Sequence, residues 1–452
     1  MNKVLIVAII FCLYLSSNAQ HLMRKAHLGI NVAEISDSLK TIHKISHGIY
    51  IIKINDIEVS KKHKLKTGDI ILSINSIEVK SISGLVTEVS KYNEDNEVSF
   101  SIIRNGKQKQ IKGTFPAKPY EKSENHEILY DQFEFDEGYI RTIIDKPDGD
   151  IKYPAILFIQ GYTCGSIDNV GEKHPYIQLV KVLCNKGYVV MRMEKPGVGD
   201  CNNKTKCEDL DFNKEIASFT KGLRKLKTYD FVDTNNVFIW GHSLGGMIAP
   251  IIANREKLKG VIVYGTTIKP WREYLIEMNR KQAPLFGADY VESEKYALNY
   301  HKLIYALYVD KKTPDEIEKD TIMAQMLKTH FMYDGKGHIY GRNYKTFVQI
   351  DDYNQTEYWS KVNSNVLVFW GDADIEAMSR YDHETIVDVV NRYHPGKATF
   401  IHLKNTTHSF AKVESMEHGI KNRNWKYITE NFNEDVAIKT VEWINSLEQQ
   451  FK

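Results

Sequence analysis

Residues 237–249 read VFIWGHSLGGMIA. The apolar run Val237–Trp240 predicts a buried strand, Gly246–Ala249 predicts the start of a helix, and GHSLG at 241–245 matches G-x-S-x-G. Alone the pattern is weak, because three fixed residues recur by chance in roughly one chain of this length in ten. A strand and a helix on either side strengthen it. The resulting tight turn presents the Ser243 hydroxyl at a helix N-terminus, where free N–H groups favour negative charge.

Outward from this turn, the chain from residue 119 onward alternates apolar strands with amphipathic helices. Strands that are apolar on both faces, with helices between them, predict a doubly wound and mostly parallel α/β sheet. The alternation stops between about residues 266 and 363, where an aromatic-rich segment predicts a helical cap of mostly packing residues, a few of which line a pocket. The predicted strands are Tyr153–Gln160, Tyr188–Met193, Val237–Trp240, Gly260–Tyr264 and Val366–Trp370, and the predicted helices include Pro175–Lys186 and Asp211–Thr228.

An acid and a histidine follow the serine in the order that a Ser-acid-His arrangement needs. The strand Val366–Trp370 ends in Gly-Asp-Ala-Asp, which offers Asp372 and Asp374. The last predicted strand, Lys397–Leu403, is followed by a loop with His408. Of the 16 histidines, only this one has both the order and the loop position.

Together, these motifs resemble the α/β-hydrolases, which include esterases and prolyl-oligopeptidase-like enzymes, over about residues 128 to 450. The resemblance implies that Ser243 is the nucleophile, that His408 is the general base, and that an aspartate orients the imidazole. In the family the acid usually follows the glycine by three residues. This spacing favours Asp374, with Asp372 as the alternative.

Acyl transfer also needs hydrogen-bond donors for an oxyanion. The resemblance implies the backbone N–H of Leu244, next to the serine, as the first donor. The second is expected from the loop after the strand Ala155–Ile159, where residues 160–165 read QGYTCG in place of the family's His-Gly motif. Either the backbone N–H of Tyr162 or its phenol supplies it, and the sequence leaves both open.

Residues 20–118 have a different character, with short β-branched runs, turn signals, and one predicted helix at Ser83–Lys91. This segment resembles a bacterial PDZ domain. Leu28, Gly29 and Ile30 match the carboxylate-binding loop, and residues 65–75 match the most recognisable stretch of the family. The resemblance implies a groove that binds a peptide C-terminus. The alternative is a module that only packs against the hydrolase domain, which is expected to span residues 119–452.

The first 19 residues predict a signal peptide, with a lysine, twelve apolar residues and a small-residue cleavage site before Gln20. A membrane anchor is the alternative, but twelve residues span only about 18 Å of a core of about 30 Å. We therefore expect export to the periplasm or medium. Of four remaining cysteines, Cys201 and Cys207 flank a polar loop and either pair with each other or stay free, and Cys184 is expected in the core.

Composition narrows the function further. The 452 residues are 42% apolar and 26% charged, with a net charge of +2, and apart from a lysine run at 61–66, expected to be a solvated loop, the charges are interspersed. This pattern gives no footprint for nucleic acid. Metal-binding motifs are missing, and no cofactor is expected. The sequence predicts an exported serine hydrolase that cleaves an ester; the alternatives are a peptidase or amidase of the same fold and a non-catalytic peptide-binding protein.

Overall fold

A computed structural model describes residues 22–449. The predicted signal peptide, residues 1–19, lies outside them. No helix between residues 22 and 449 has the length and apolar character needed to cross a bilayer. The chain builds two units, a small antiparallel sheet followed by a larger α/β unit.

The N-terminal unit is a six-stranded antiparallel sheet in the order β1-β2-β3-β5-β6, with β4 beside β3. Strand β1 forms one edge. A two-residue hairpin turn joins β5 and β6, and its Asn105 and Gly106 both have positive φ, as a turn of this kind requires. Lys61 and Lys62 lie in a helix, so the expectation of a loop at 61–66 is wrong for these two. The elements are β1 Ile30–Glu34, α1 Asp37–His43, β2 Ile49–Ile54, α2 Ile57–His63, β3 Ile70–Ile74, β4 Ile77–Glu78, α3 Ile82–Val89, β5 Glu97–Arg104 and β6 Lys107–Thr114.

The second unit is an eight-stranded sheet in the order β16-β15-β12-β11-β9-β10-β8-β7. Its six strands from β16 to β10 are parallel, and β8 and β7 run antiparallel at one edge. The prediction of a mostly parallel doubly wound sheet is confirmed. The strands are β7 Glu127–Phe135, β8 Gly138–Lys146, β9 Tyr153–Ile159, β10 Val189–Met193, β11 Val232–His242, β12 Gly260–Tyr264, β15 Asn365–Gly371 and β16 Ala398–Leu403.

Helices cover both faces of this sheet because its central strands are apolar on both sides. In β11, Val237 and Ile239 join the core beneath one face, while Phe238 and Trp240 join the core on the other. The covering helices are α4 Pro175–Asn185, α5 Phe212–Leu226, α6 Leu244–Ala253, α13 Arg380–Tyr393 and α16 Asp435–Gln449, with short α14 Met416–Lys421 and α15 Trp425–Glu430.

The cap is inserted between β12 and β15, as the sequence predicts. It is helical, with one small hairpin, and its aromatic residues join the core on one face of the sheet. Its elements are α7 Trp271–Leu285, α8 Tyr290–Tyr308, α9 Pro314–Ile317, α10 Thr321–His330, β13 His338–Ile339, β14 Arg342–Asn343, α11 Tyr344–Asp352 and α12 Gln355–Ser360.

The disulfide differs from both expectations for Cys207. Cys207 bonds to Cys164, while Cys201 and Cys184 are free and buried. The Cα atoms of Cys164 and Cys207 are 5.7 Å apart, within the range that a disulfide needs. Local spacing could not show this partner, because the bond joins two loops separated by 43 residues of sequence.

A buried arginine ties the two units together. The Arg24 guanidinium lies 2.7 Å from Asp168 and 2.5 Å from Asp200, both in loops of the α/β unit, and it is about 1% exposed. It also stacks over the ring of Tyr120, 4.6 Å from the centroid. The N-terminal segment therefore leaves the α/β unit at Arg24 and reaches the first strand of the small sheet six residues later.

Candidate active site

The serine turn has the strained geometry that the sequence suggests. Ser243 has φ +54° and lies between β11 and the first residue of α6. The glycines on either side are required by crowding: a Cβ on Gly241 would lie 2.5 Å from the Gly245 carbonyl oxygen, and one on Gly245 would touch the Ile159 carbonyl. Such a turn holds the serine side chain at the end of the sheet, where it lines a cavity.

Asp374 and His408 are brought together across 34 residues of sequence. His408 Nδ1 lies 2.8 Å from Asp374 Oδ2, and the other Asp374 oxygen accepts the N–H groups of Glu376 and Ala377. Burial by itself raises the pKa of Asp374, but the nearby His408 outweighs it and the net pKa is lowered. Asp372, the alternative acid, instead pairs with His402 at 2.9 Å.

The other imidazole nitrogen faces a carboxylate that sequence reasoning missed. His408 Nε2 lies 3.3 Å from Glu376 Oε2, and within the described part of the chain no hydrogen bond joins the Ser243 hydroxyl to His408. Burial lowers the pKa of His408, but the charges of Asp374 and Glu376 raise it to about 9. Glu376 lies only two residues after Asp374, so its place in the same loop was the available signal.

His242, the second residue of GHSLG, fixes the backbone of the histidine loop. Its Nε2–H donates to the His408 carbonyl at 2.9 Å, and its Nδ1 is 2.7 Å from the Tyr176 hydroxyl. Burial holds the pKa of His242 well below its ordinary value. A neutral ring suits this pattern, with one nitrogen donating and the other accepting. The residue before the serine therefore links β11 to the loop of His408.

The predicted oxyanion donors lie next to the serine. Leu244 begins α6, so its N–H is among the free donors of that helix. Gly161, the neighbour of Tyr162, lies so close that a Cβ on it would be 3.3 Å from Ser243 Cβ. The ring of Tyr162 packs toward Phe347 of the cap, with centroids 6.4 Å apart. Its phenol makes no hydrogen bond among residues 22–449, which favours the backbone N–H as the donor.

A buried charge cluster, formed by Lys195, Glu215 and Arg342, holds the carbonyl groups of this loop. Lys195 Nζ donates to the Gly161 carbonyl at 2.6 Å, and Arg342 donates to the Tyr162 carbonyl at 3.1 Å. Glu215 lies 2.7 Å from both cations. The cluster therefore holds the backbone of the loop that carries Tyr162. Sequence reasoning missed this cluster because its members come from the loop after β10, from α5 and from the cap.

The disulfide acts on the same loop. Cys164 lies two residues after Tyr162, and its bond to Cys207 fastens the loop to the segment that follows β10. Slightly further on, Ser166 and the Ile167 N–H donate to the buried Glu194 carboxylate. Burial raises the pKa of Glu194 to about 7.

In the small unit, Leu28, Gly29 and Ile30 form the loop that leads into the edge strand β1. Gly29 has φ +62°, and the N–H groups of Leu28 and Gly29 donate no hydrogen bond to any other described residue. His63, which the sequence did not single out, braces the loop, because its Nε2–H donates to the Leu28 carbonyl at 2.9 Å and its Nδ1 accepts the Leu65 N–H at 3.0 Å.

Two cavities meet at this site. One, of about 310 Å³, holds Ser243, Leu244 and Tyr162 and is lined by the cap. The other, of about 340 Å³, contains His408 and residues of α14 and α15. Glu376 borders both. Among residues 22–449, no group of three His, Cys, Asp or Glu side chains is placed to hold a metal ion. The fold and the site define an α/β-hydrolase joined to a PDZ domain.

Comparisons with known proteins agree. Residues 26–113 match the family described as PDZ domain, and residues 171–338 match the family described as serine aminopeptidase, S33. Esterase EstD of Thermotoga maritima is 27% identical over 131 residues, which cover 28% of this chain and 31% of that protein. The match thus spans about a third of the relative. The larger unit has the α/β-hydrolase fold and an esterase among its relatives, and it follows an N-terminal PDZ domain.

Solved structures to which the chain is similar include Est1E from Butyrivibrio proteoclasticus with ferulic acid bound, at 18% identity and a TM-score of 0.44, covering 70% of this chain and 99% of that one. A thermostable carboxyl esterase from Bacillus coagulans in complex with glycerol has 17% identity and a TM-score of 0.44, covering 71% of this chain and 98% of that one.

Proposed function

We propose that this protein is an exported serine esterase that works through an acyl-enzyme. Ser243 attacks the ester carbonyl, His408 accepts its proton and returns it to the leaving alcohol, and Asp374 holds the imidazole in the required orientation. The N–H groups of Leu244 and Tyr162 stabilise the oxyanion. Water then attacks the acyl-enzyme by the same route and releases the acid.

The observation that carries the proposal is the placement of a strained serine beside an imidazole whose far nitrogen is bound to a buried aspartate. Ser243 holds a positive φ and lines the cavity, and His408 Nδ1 is 2.8 Å from Asp374. The Glu376 carboxylate faces Nε2 in the free protein. Catalytic hydrogen bonds are often long or poorly aligned before substrate binds. The missing hydrogen bond between the Ser243 hydroxyl and His408 is therefore compatible with the mechanism.

A fluorophosphonate probe tests the nucleophile directly. The wild-type protein should be labelled, Ser243→Ala should not, and Ser446→Ala, a matched serine on α16, should be labelled like the wild type. Absence of labelling in all three would favour a non-catalytic peptide-binding protein. Hydrolysis of 4-nitrophenyl esters should exceed hydrolysis of the matching 4-nitroanilides, and the reverse order would make the protein an amidase.

For the PDZ domain we propose that the Leu28–Ile30 loop binds a peptide C-terminus. The free N–H groups of Leu28 and Gly29 and the exposed edge of β1 support it. The full-length protein should bind peptides with free, apolar C-termini, and amidation of the peptide should weaken binding sharply. Equal binding of both forms would leave the domain a structural part of the enzyme.

We also propose export, with cleavage before Gln20. The Cys164–Cys207 disulfide supports this, since such bonds persist in oxidising compartments. N-terminal sequencing of the protein from a periplasmic or culture-medium fraction should begin at Gln20. Recovery of the uncleaved chain with the cytoplasmic fraction would contradict the proposal.

A further inference from the structure

The cavity beside Ser243 is aromatic and contains no cation. Its lining residues include neither lysine nor arginine. Aromatic faces carry partial negative charge and attract cations, best of all weakly hydrated ammonium groups. The six aromatic rings that line the cavity are Tyr162, Trp271, Tyr274, Tyr300, Tyr340 and Phe347.

One carboxylate adds a full negative charge to this cavity. Glu376 borders it, its side chain is 57% exposed, and among the described residues it has no lysine or arginine partner. Arg423, the arginine of the neighbouring cavity, stacks over Phe286 at 4.8 Å instead. The Glu376 carboxylate lies 3.3 Å from His408 Nε2.

The position of Glu376 is fixed by the cap. The Tyr274 hydroxyl donates to the Glu376 carbonyl at 2.7 Å, and the Gln282 amide donates to the Ile375 carbonyl at 2.7 Å. The Glu376 N–H in turn donates to Asp374 at 2.7 Å. Because the backbone is held on both sides, only the Glu376 side chain is left to move at the mouth of the cavity.

We propose that Glu376 and the aromatic cavity select esters that carry an ammonium group, on either the acyl or the alcohol part. This inference rests on the proposed esterase function. The ammonium group would lie against the rings and pair with the carboxylate, which combines cation–π and ionic attraction in a partly desolvated site. A neutral substrate of the same shape would gain neither.

The same contact links recognition to the catalytic histidine. In the free protein the Glu376 carboxylate faces the nitrogen that has to accept the Ser243 proton. A bound ammonium group draws the carboxylate away from His408 Nε2, which then becomes available to the serine. Cationic substrates would therefore gain in kcat as well as in KM.

Isosteric substrate pairs test this selection. The alcohol arm compares 2-(trimethylammonio)ethyl and 3,3-dimethylbutyl esters of one acid, and the acyl arm compares 5-(trimethylammonio)pentanoyl and 6,6-dimethylheptanoyl 4-nitrophenyl esters. In the wild type, kcat/KM should favour the cationic member of at least one pair by about tenfold. The arm that responds identifies the part of the substrate that bears the charge. A ratio near one in both arms would overturn the proposal.

Glu376→Gln should bring that ratio close to one, whereas Glu414→Gln, which removes an exposed carboxylate outside both cavities, should keep it. A ratio that persists in Glu376→Gln would also overturn the proposal. Fluorophosphonate labelling gives a readout without turnover: tetramethylammonium chloride, against sodium chloride at equal ionic strength, should change the labelling rate of the wild type and leave that of Glu376→Gln unaltered. Ser243-dependent hydrolysis with no charge preference would refute this inference and leave the esterase function intact.

The pH profile gives a second readout that a merely structural role would not move. His408 is faced by Asp374 and Glu376, by the ring of His242 at 4.6 Å, and by the buried His383 of α13. Its neutral form is the base, so the raised pKa of about 9 places the rise of kcat/KM at alkaline pH. Glu376→Gln removes one of the charges that raise this pKa, so the rise should shift to lower pH; an unchanged profile would contradict the contact.

Discussion

The protein contains two sites at which backbone N–H groups can meet a negatively charged oxygen, and they are built differently. The PDZ loop uses Gly29, with φ +62°, where only backbone donors are needed. The serine turn uses Ser243, with φ +54°, and in the proposed mechanism it is the side chain at this position that reacts. A non-glycine residue in this region is strained, and the crowded glycines at 241 and 245 hold it in place. The positive φ of Gly29 therefore costs little, whereas the positive φ of Ser243 strains the backbone of the serine turn.

The largest effect should come from removing the side chains proposed to react at the serine turn, Ser243 and His408. Ser243→Ala or His408→Ala should lower kcat by about 10⁶, and the double variant should be little worse, because the groups act as a unit. Steady-state kinetics on a 4-nitrophenyl ester measures this. Losses that add between the two variants would argue against a shared mechanism.

The next largest effect should come from changing the proposed acid, Asp374. Asp374→Asn should lower kcat by about 10⁴, because only the partner of His408 Nδ1 fixes the tautomer. Asp372→Asn, in the same loop and paired with His402, is the matched control and should have far less effect. If the two variants rank the other way, the acid is Asp372.

The backbone donor proposed at Tyr162 depends on the buried charge cluster, which holds the carbonyl groups of the same loop. Arg342→Lys should lower kcat by about 10² with KM nearly unchanged, since lysine cannot reproduce the fork in which Nη1 meets Glu215 and the Tyr162 carbonyl while Nη2 donates to the Leu210 carbonyl. Arg272→Lys, another cap arginine paired with Asp351, is the control.

Tyr162→Phe should change kcat by less than about tenfold, because it keeps the backbone N–H. A loss of 10² or more would assign the phenol as the donor.

The smallest expected effects are the changes in stability that test whether the positive φ is strained at Ser243 and not at Gly29. At position 243, glycine should give a protein more stable than alanine by about 1 kcal/mol, because glycine relieves the positive φ. At position 29 glycine should again be more stable than alanine, and here it is already the native residue: Gly29→Ala should destabilise by about 1 kcal/mol and weaken peptide binding, since its Cβ would lie 3.0 Å from Val59 Cγ1. Urea unfolding of the four chains measures both. Equal stabilities at position 243 would show that the turn stores no strain.

Much of the fold was predictable because its signals are local. The apolar run before Ser243, the glycines around it and the alternating strands and helices each depend on neighbours in sequence. Asp374 was preferred by its spacing from Gly371, and the structure brings it to His408. The Gly29 loop was likewise predictable from the sequence, because the PDZ motif is short and continuous.

What the tertiary structure alone decided are the contacts between distant segments. The sequence determined two domains, a serine turn and the order of the acid and histidine, since backbone conformation and apolar periodicity follow from short stretches of chain. The partner of Cys207, the support of the oxyanion loop by Arg342 and the approach of Glu376 to His408 depend on how the cap and loops pack at the sheet's edge. Such contacts join residues whose separation in sequence says nothing of their distance in space.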